Sequence, residues 1–145
     1  LQAIDVEKYP WVLVHDAARP CVTHHDIDKI IAQCITHNCG GLLAAQVVDT
    51  IKQNSKEYSN TVDGTIDRSN LWHAFTPQMY KTVELKKAIE QALEKNLEIT
   101  DESSAIELLG LPSLLVLGRR DNIKITRPED IALASFYLAQ QKLEQ

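Results

Sequence analysis

The spacing of apolar positions changes several times along the chain, and each change marks an element. Trp11-Val12-Leu13-Val14 is a continuous apolar run with β-branched residues, as expected of a strand covered on both faces, and it ends abruptly in His15-Asp16. Beyond Arg19-Pro20, Thr23 is placed to cap a helix with Asp26 three residues on. Ile27, Ile30, Ile31, Cys34 and Ile35 then recur at the spacing of one buried helical face. Gly40-Gly41 reads as the stop. Leu42 to Val48 is the next strand, so the first fifty residues make a strand-helix-strand unit of the right-handed crossover kind, ending in Asp49-Thr50.

From Ile51 to Arg68 the helical spacing vanishes. Polar and β-branched residues alternate loosely, and Asp63-Gly64 is a hairpin turn signal between Thr61-Val62 and Thr65-Ile66. So few large apolar residues predict a projecting arm, residues 51–70, that packs on a partner or on the body. Beyond Trp72 to Gln78, Leu85, Ala88, Ile89, Ala92 and Leu93 define a helix. A second helix starts near Thr100-Asp101-Glu102 and is stopped by Gly110 and Pro112. Ser113 to Leu117 is a last apolar strand, then come the polar loop 118–122 and Ile123-Lys124-Ile125. Thr126 with Glu129 forms a capping box, and Pro128 opens the final helix. Without repeats or a linker, residues 1–145 read as a single α/β domain.

Composition narrows the class. Of 145 residues, 44% are apolar and 24% charged, which suits a packed domain, and 15 Lys or Arg against 20 Asp or Glu leave a net charge of −5. An acidic chain has no overall field for nucleic acid or an anionic membrane, so a phosphate site must be local. No stretch is long and apolar enough for a membrane span, and the first residues have no signal-peptide pattern. Cys21, Cys34 and Cys39 are odd in number with no CxxC pair, which points to a reducing, cytoplasmic setting. The chain begins without Met and runs almost at once into a strand, as a fragment would.

In open α/β sheets, ligands gather beyond the carboxyl ends of the strands. Three such ends carry polar groups: His15-Asp16 with Arg19, Asp49-Thr50, and Arg119-Arg120 with Lys124. An acid beside several cations suits a metal-bound polyphosphate, the acid holding Mg²⁺ or a sugar hydroxyl and the cations offsetting phosphate charge. Structural readings stand beside these. An Asp after a strand is more commonly a cap than a ligand, and Lys124 between two Ile residues fits the outer face of a strand. Arg119 and Arg120 read as a solvated loop pair, Arg68 as an exposed hairpin residue and Thr100 as an N-cap. The histidines lack metal-ligand spacing, and Cys21 lacks a base that would make it a nucleophile.

Five segments occur in one order. They are Val12-Leu13-Val14-His15-Asp16-Ala17-Ala18-Arg19-Pro20; Asp49-Thr50; Asp67-Arg68 with Leu71-Trp72 and Thr76-Pro77-Gln78; Thr100-Asp101-Glu102; and Asp121-Asn122-Ile123-Lys124-Ile125-Thr126-Arg127-Pro128-Glu129-Asp130. Together they closely resemble the 2-C-methyl-D-erythritol 4-phosphate cytidylyltransferases of non-mevalonate isoprenoid biosynthesis, from Tyr9 to the end of the chain. The resemblance implies a partial Rossmann-like, mostly parallel sheet flanked by helices, with the arm of 51–70 pairing two subunits of a homodimer. It implies a nucleotidyltransferase that joins CTP and methylerythritol phosphate with Mg²⁺ assistance and releases pyrophosphate.

On the same ground Asp16 and Lys124 are the expected catalytic residues. Asp16 lies near the metal, ribose and substrate hydroxyl, Ala17 at the nucleotide, and Lys124 where transition-state charge develops. Arg19, Thr50, Arg68, Thr76 and Thr100 surround methylerythritol phosphate, some of them reaching across from the second subunit. The family's Gly-rich triphosphate loop and its second Lys have no counterpart among the five Gly of this chain. The expectation is therefore a carboxyl-terminal portion, inactive by itself. Two other expectations remain: a related enzyme acting on ribitol phosphate, and a dimerisation and ligand-binding module without chemistry.

Overall fold

In the computed structural model, which describes residues 1–143, the opening apolar run is strand β1 (Trp11–Val14). It is followed by helix α1 (His24–His37), strand β2 (Gly41–Gln46), and hairpin strands β3 (Ile51–Asn54) and β4 (Val62–Ile66). Then come the long strand β5 (Trp72–Lys81), helices α2 (Thr82–Glu94) and α3 (Glu102–Leu108), strand β6 (Leu114–Leu117) and helix α4 (Pro128–Leu143). The main sheet has the order β1-β5-β2-β6. β2 and β6 pair in parallel, whereas β5 pairs antiparallel with both β1 and β2. The strand-helix-strand unit at the front is present with its strands pointing the same way, but they are not neighbours, because β5 is inserted between them.

Packing follows the two faces of this sheet. On one, Ile30 and Cys34 of α1 meet Leu43, Met79 and Val116; on the other, Tyr80 meets Leu85 and Ala88 of α2 and Ala105 and Ile106 of α3. Strand β5 contributes to both through Met79 and Tyr80, since successive strand residues point to opposite faces. β1 is only half-buried, not covered as its apolar run predicts, because it forms an edge of the described sheet. Among the described residues no helix is long and apolar enough to cross a membrane.

Several local devices differ from those read off the sequence. Thr23 does cap α1, accepting a hydrogen bond from the Asp26 amide at 3.2 Å. The helix ends, however, at Asn38, whose left-handed backbone (φ 48°) makes the turn that Gly40-Gly41 was expected to make. These two glycines instead admit neighbours. A Cβ on Gly40 would lie 2.1 Å from the Tyr80 ring, and one on Gly41 2.8 Å from the Leu114 Cβ. Asp101, not Thr100, caps α3, in a reciprocal box with Ser104. At α4 the acceptor is Asp130 rather than Glu129, its carboxylate taking the amides of Thr126 and Arg127.

The arm exists as the separate β3–β4 ribbon, largely exposed. Its turn is not Asp63-Gly64, which lie within β4. Gln53 pairs with Gly64 and Asn54 with Val62, so Asp63 is the extra residue of a bulge. The connection runs through 55–61, closed by the Ser55 amide donating to the Thr61 carbonyl at 2.9 Å.

Filling the space at Gly40 should be disruptive, because the Tyr80 ring that occupies it is fully buried. Gly40→Ala is expected to lower stability in urea denaturation by about 1–3 kcal/mol, the usual range for overpacking. Gly64→Ala, with nothing within 4 Å of the added carbon, should stay within about 0.5 kcal/mol of the parent.

Candidate functional site

The longest strand is irregular at its centre. Leu42 of β2 pairs with Gln78 of β5, and Ala44 with Ala74, so Phe75, Thr76 and Pro77 stand together opposite Leu43 alone. Such a bulge lifts residues out of the ladder and re-aims their side chains, and it also accommodates Pro77, which has no amide to offer a sheet. Phe75 and Thr76 thereby line a cleft of about 440 Å³ with Val14, His15, Asp16 and Arg19 from the end of β1, Thr100 to Glu102 from the start of α3, and Lys124.

Each wall is fixed by identifiable bonds. Asp16 is the second residue beyond β1; its Oδ1 accepts the Ala18 amide at 3.0 Å and its carbonyl accepts the Arg19 amide at 2.9 Å, which folds the chain into a tight turn. Residues 123–125 are not a strand. They form a loop docked on that turn by the Ile125 amide, which donates to the Ala18 carbonyl at 2.8 Å. This docking carries the Lys124 ammonium to 2.7 Å from Asp16 Oδ2. Groups 108 positions apart in the chain thus meet at one point.

The electrostatics are uneven. The hydrogen bond from Lys124, with a smaller contribution from the Ala18 amide, holds the Asp16 carboxyl below the ordinary carboxylate range. The Lys124 side chain is 51% exposed and that of Asp16 28%, so the pair sits at the mouth of the cleft in contact with water. Arg19 is more enclosed. Its Nη1 donates to the Asn122 carbonyl at 2.8 Å, its Nη2 to the Ala74 carbonyl at 3.4 Å, and its guanidinium lies over the Phe75 ring at 5.0 Å. Burial pushes its pKa down from the usual value, yet a guanidinium stays charged in proteins.

Of the residues singled out in the sequence, Asp16, Arg19, Thr76, Thr100 and Lys124 line this one cleft. Ala17 is exposed beside Asp16 and does not line it. Thr50 and Arg68 lie elsewhere, at the root of the arm, where the Arg68 guanidinium donates to the Val48 carbonyl. Arg119 and Arg120 are not a free solvated pair. Arg119 grips Asp121 through Nε and Nη2 while its amide donates to the buried Asp26 carboxylate, and Arg120 donates to the Gln46 carbonyl.

Two residues that sequence reasoning left without a role prove central. Asn122 is fully buried; its Nδ2 donates to the Thr76 carbonyl at 2.8 Å, and its own carbonyl receives Arg19. Gln78, also buried, donates to Asp101 Oδ2 at 2.9 Å and accepts the Ser103 amide at 2.8 Å, tying β5 to the start of α3. Nothing in an isolated Asn or Gln within a polar stretch distinguishes a buried brace from a solvated side chain. Both stand, however, inside the quoted segments Thr76-Pro77-Gln78 and Asp121-Asn122, which is the one available signal.

Among the described residues no three His, Cys, Asp or Glu side chains gather as a preformed metal cage. One carboxylate, with Oδ1 engaged by an amide and Oδ2 by an ammonium, is nonetheless a donor set that suits Mg²⁺. That ion commonly takes one or two carboxylates and completes its shell with substrate phosphates and water.

Known proteins resemble this chain over most of its length. The family described as "IspD: 2-C-methyl-D-erythritol 4-phosphate cytidylyltransferase" matches residues 1–140. A protein of that name from Colwellia psychrerythraea (strain 34H / ATCC BAA-681) is 58% identical over 97% of this chain and 60% of its own length. One from Aliivibrio fischeri (strain MJ11) is 58% identical over 92% of this chain and 56% of its own length. The crystal structure of the Francisella tularensis 2-C-methyl-D-erythritol 4-phosphate cytidylyltransferase superposes with a TM-score of 0.83 at 38% identity, covering 94% of this chain and 63% of that one. The chain therefore spans about 60% of the length of the relatives it matches. Matched from its first residue to residue 140, and sharing the fold of a solved member, it belongs to the 2-C-methyl-D-erythritol 4-phosphate cytidylyltransferase (IspD) family.

Proposed function

We propose that these residues belong to a cytidylyltransferase that converts CTP and 2-C-methyl-D-erythritol 4-phosphate into CDP-methylerythritol and pyrophosphate. The observation that carries the reading is the ion pair of Asp16 and Lys124 at the mouth of a cleft whose floor holds a second, immobilised cation, Arg19. In the reaction, an oxygen of the sugar-phosphate monoester forms a bond to the α-phosphorus of CTP. The bond from that phosphorus to the bridging oxygen of the β-phosphate breaks, and pyrophosphate leaves with the electron pair. The nucleophile is already an anion, so no general base is required. The protein's task is to bring two anions together and to match charge that accumulates at the reacting phosphorus.

The two cations divide that task. Arg19, fixed by two carbonyls and an aromatic face, is suited to hold the ground-state methylerythritol moiety. Lys124, whose single exposed ion pair contributes little in water, exchanges Asp16 for phosphate oxygens at small cost and follows the charge as it develops. Asp16, released from Lys124, is the residue to hold Mg²⁺ or a ribose or substrate hydroxyl, and Ala17 lies beside it toward the nucleotide. A bound Mg²⁺ would supply charge neutralisation on the phosphates. Thr76 and Thr100 supply polar groups on the walls.

The arm completes the reading. A ribbon with Tyr58 67% and Val62 63% exposed gains burial only against another surface, and a homodimer in which it reaches the partner's cleft would bring Thr50 and Arg68 to the sugar phosphate.

In an enzyme carrying these residues, Lys124→Ala should lower kcat about 100-fold or more while changing the KM of either substrate only a few-fold, as steady-state pyrophosphate release would record. Equal turnover would remove Lys124 from the chemistry. Arg68→Ala should raise the KM for methylerythritol phosphate roughly tenfold, the loss of one hydrogen bond to a charged group. Mixing that variant with Lys124→Ala should restore sites if the arm reaches across. An unchanged KM would leave the arm residue structural.

The acid limb of stability gives a third check. A carboxyl whose folded pKa is depressed stabilises the fold above its unfolded pKa, and that contribution disappears as pH falls through the lowered value. Asp16→Asn should thus be less stable than the parent at pH 6–7, and the difference in urea midpoints should shrink below about pH 4.

A further inference from the structure

His15 has no part in the reaction as described, yet both of its ring nitrogens are engaged inside the cleft. Nε2 lies 3.0 Å from the Arg19 carbonyl oxygen and Nδ1 lies 3.0 Å from Thr76 Oγ1, while Thr76 Oγ1 also accepts the Asp16 amide at 3.0 Å. For the neutral ring these contacts fix the direction of every hydrogen bond in the chain. A carbonyl oxygen can only accept, so Nε2 carries the proton of the neutral ring. Nδ1 is then a bare lone pair, and the Thr76 hydroxyl must donate to it. That hydroxyl has one proton and two lone pairs; the proton is directed at His15 and one lone pair is taken by Asp16. What Thr76 has left to offer a ligand is an acceptor.

We propose that His15 is a positioning residue that draws the Thr76 hydroxyl proton away from the cleft, so that Thr76 receives a hydrogen bond from a hydroxyl of a polyol ligand and does not donate to a phosphate oxygen. The inference rests on the reading of the cleft as a polyol-phosphate site and adds which part of the ligand faces Thr76. Phosphate oxygens, which only accept, are left to the Lys124 ammonium at the mouth of the cleft. The ring also braces the turn itself, because its Nε2–H holds the carbonyl of Arg19 across the same four residues that Asp16 closes.

Two measurements test this. Nitrogen-15 NMR of the enzyme, labelled at histidine and recorded at about pH 8.5, above the ordinary imidazole range, should show His15 with a protonated Nε2 and a bare Nδ1. The Nδ1–H tautomer, or an averaged mixture, would overturn the proposal whether or not the protein turns over CTP. This separates its failure from failure of the functional reading.

Kinetics then ask whether polarity matters. His15→Asn places an amide oxygen near the position of Nδ1 and keeps an acceptor for Thr76. His15→Gln keeps a donor for the Arg19 carbonyl but loses that acceptor. The Asn variant should keep KM for methylerythritol phosphate within about threefold of the parent, and the Gln variant should raise it roughly tenfold, the range of one hydrogen bond. KM for CTP should be unchanged in both. Inorganic phosphate, used as a competitive inhibitor, should bind parent and Gln variant alike. Equal losses in both variants, or a parallel loss of phosphate inhibition, would refute the assignment of Thr76 to a ligand hydroxyl.

Discussion

Strand β5 has to pass antiparallel between two strands that run the other way, and the three residues it loops out opposite Leu43 are the constraint from which the cleft follows. A regular ladder would keep Phe75, Thr76 and Pro77 in pairing with β2. The bulge turns Phe75 and Thr76 out toward the end of β1, where His15, Asp16 and Arg19 converge. Gln78, at the point where regular pairing resumes, is anchored to the start of α3, so the opposite rim is held by the same strand. Buried polar groups of this kind must be satisfied or they destabilise the fold. The hydrogen bonds of Gln78, and those that the Asn122 side-chain amide and backbone carbonyl make to Thr76 and Arg19, serve the core and the cleft at once, while Asn122 Oδ1 and Arg19 Nε are buried without a hydrogen-bond partner among the described residues.

The distribution of charge follows a similar logic. A chain of net charge −5 repels anions at long range, yet its cleft holds Arg19 and Lys124. Local geometry overrides the overall field because charges within a few ångströms act below the screening length of about 8–10 Å, while the rest of the surface does not. Asp16 keeps this local field from being uniformly positive. Its pairing with Lys124 neutralises the mouth of the cleft until an anion competes for the ammonium.

Much of this was legible in the sequence and some was not, for reasons that can be named. Helical periodicity located α1 and α2 because burial on one face leaves a clear trace, and cap and stop residues located α3; Ile30, Cys34, Leu85 and Ala88 are buried as their spacing requires, whereas Ile35 and Leu93, read onto the same faces, are exposed at the helix ends. β5 was hidden because Thr76, Pro77 and Gln78 interrupt an alternating pattern, and the bulge that excuses them depends on a neighbour 34 positions upstream. Asp63-Gly64 looked like a turn because the same residues suit a bulge, which needs similar local chemistry. Lys124, between two isoleucines, read as easily as a strand residue. Only the bond from Ile125 to Ala18 reveals it as part of a docked loop. The meeting of Asp16 with Lys124 came from resemblance between ordered segments, since no spacing rule links residues so far apart.

The contrast between the two cations is what gives the cleft a direction. Arg19 is held by Asn122, Ala74 and the Phe75 ring, so its guanidinium has lost most of its freedom before any ligand arrives, and binding to it entails little further ordering. Lys124 keeps a flexible stem and one exchangeable partner. A rigid fork recognises a ground-state shape, whereas a mobile point charge responds to where negative charge accumulates. If the roles were exchanged, with Lys braced on the floor and Arg at the mouth, the site would bind its anion no less strongly. In the proposed reaction it would have a weaker means of favouring the transition state over the bound substrate, which is the difference on which catalysis depends.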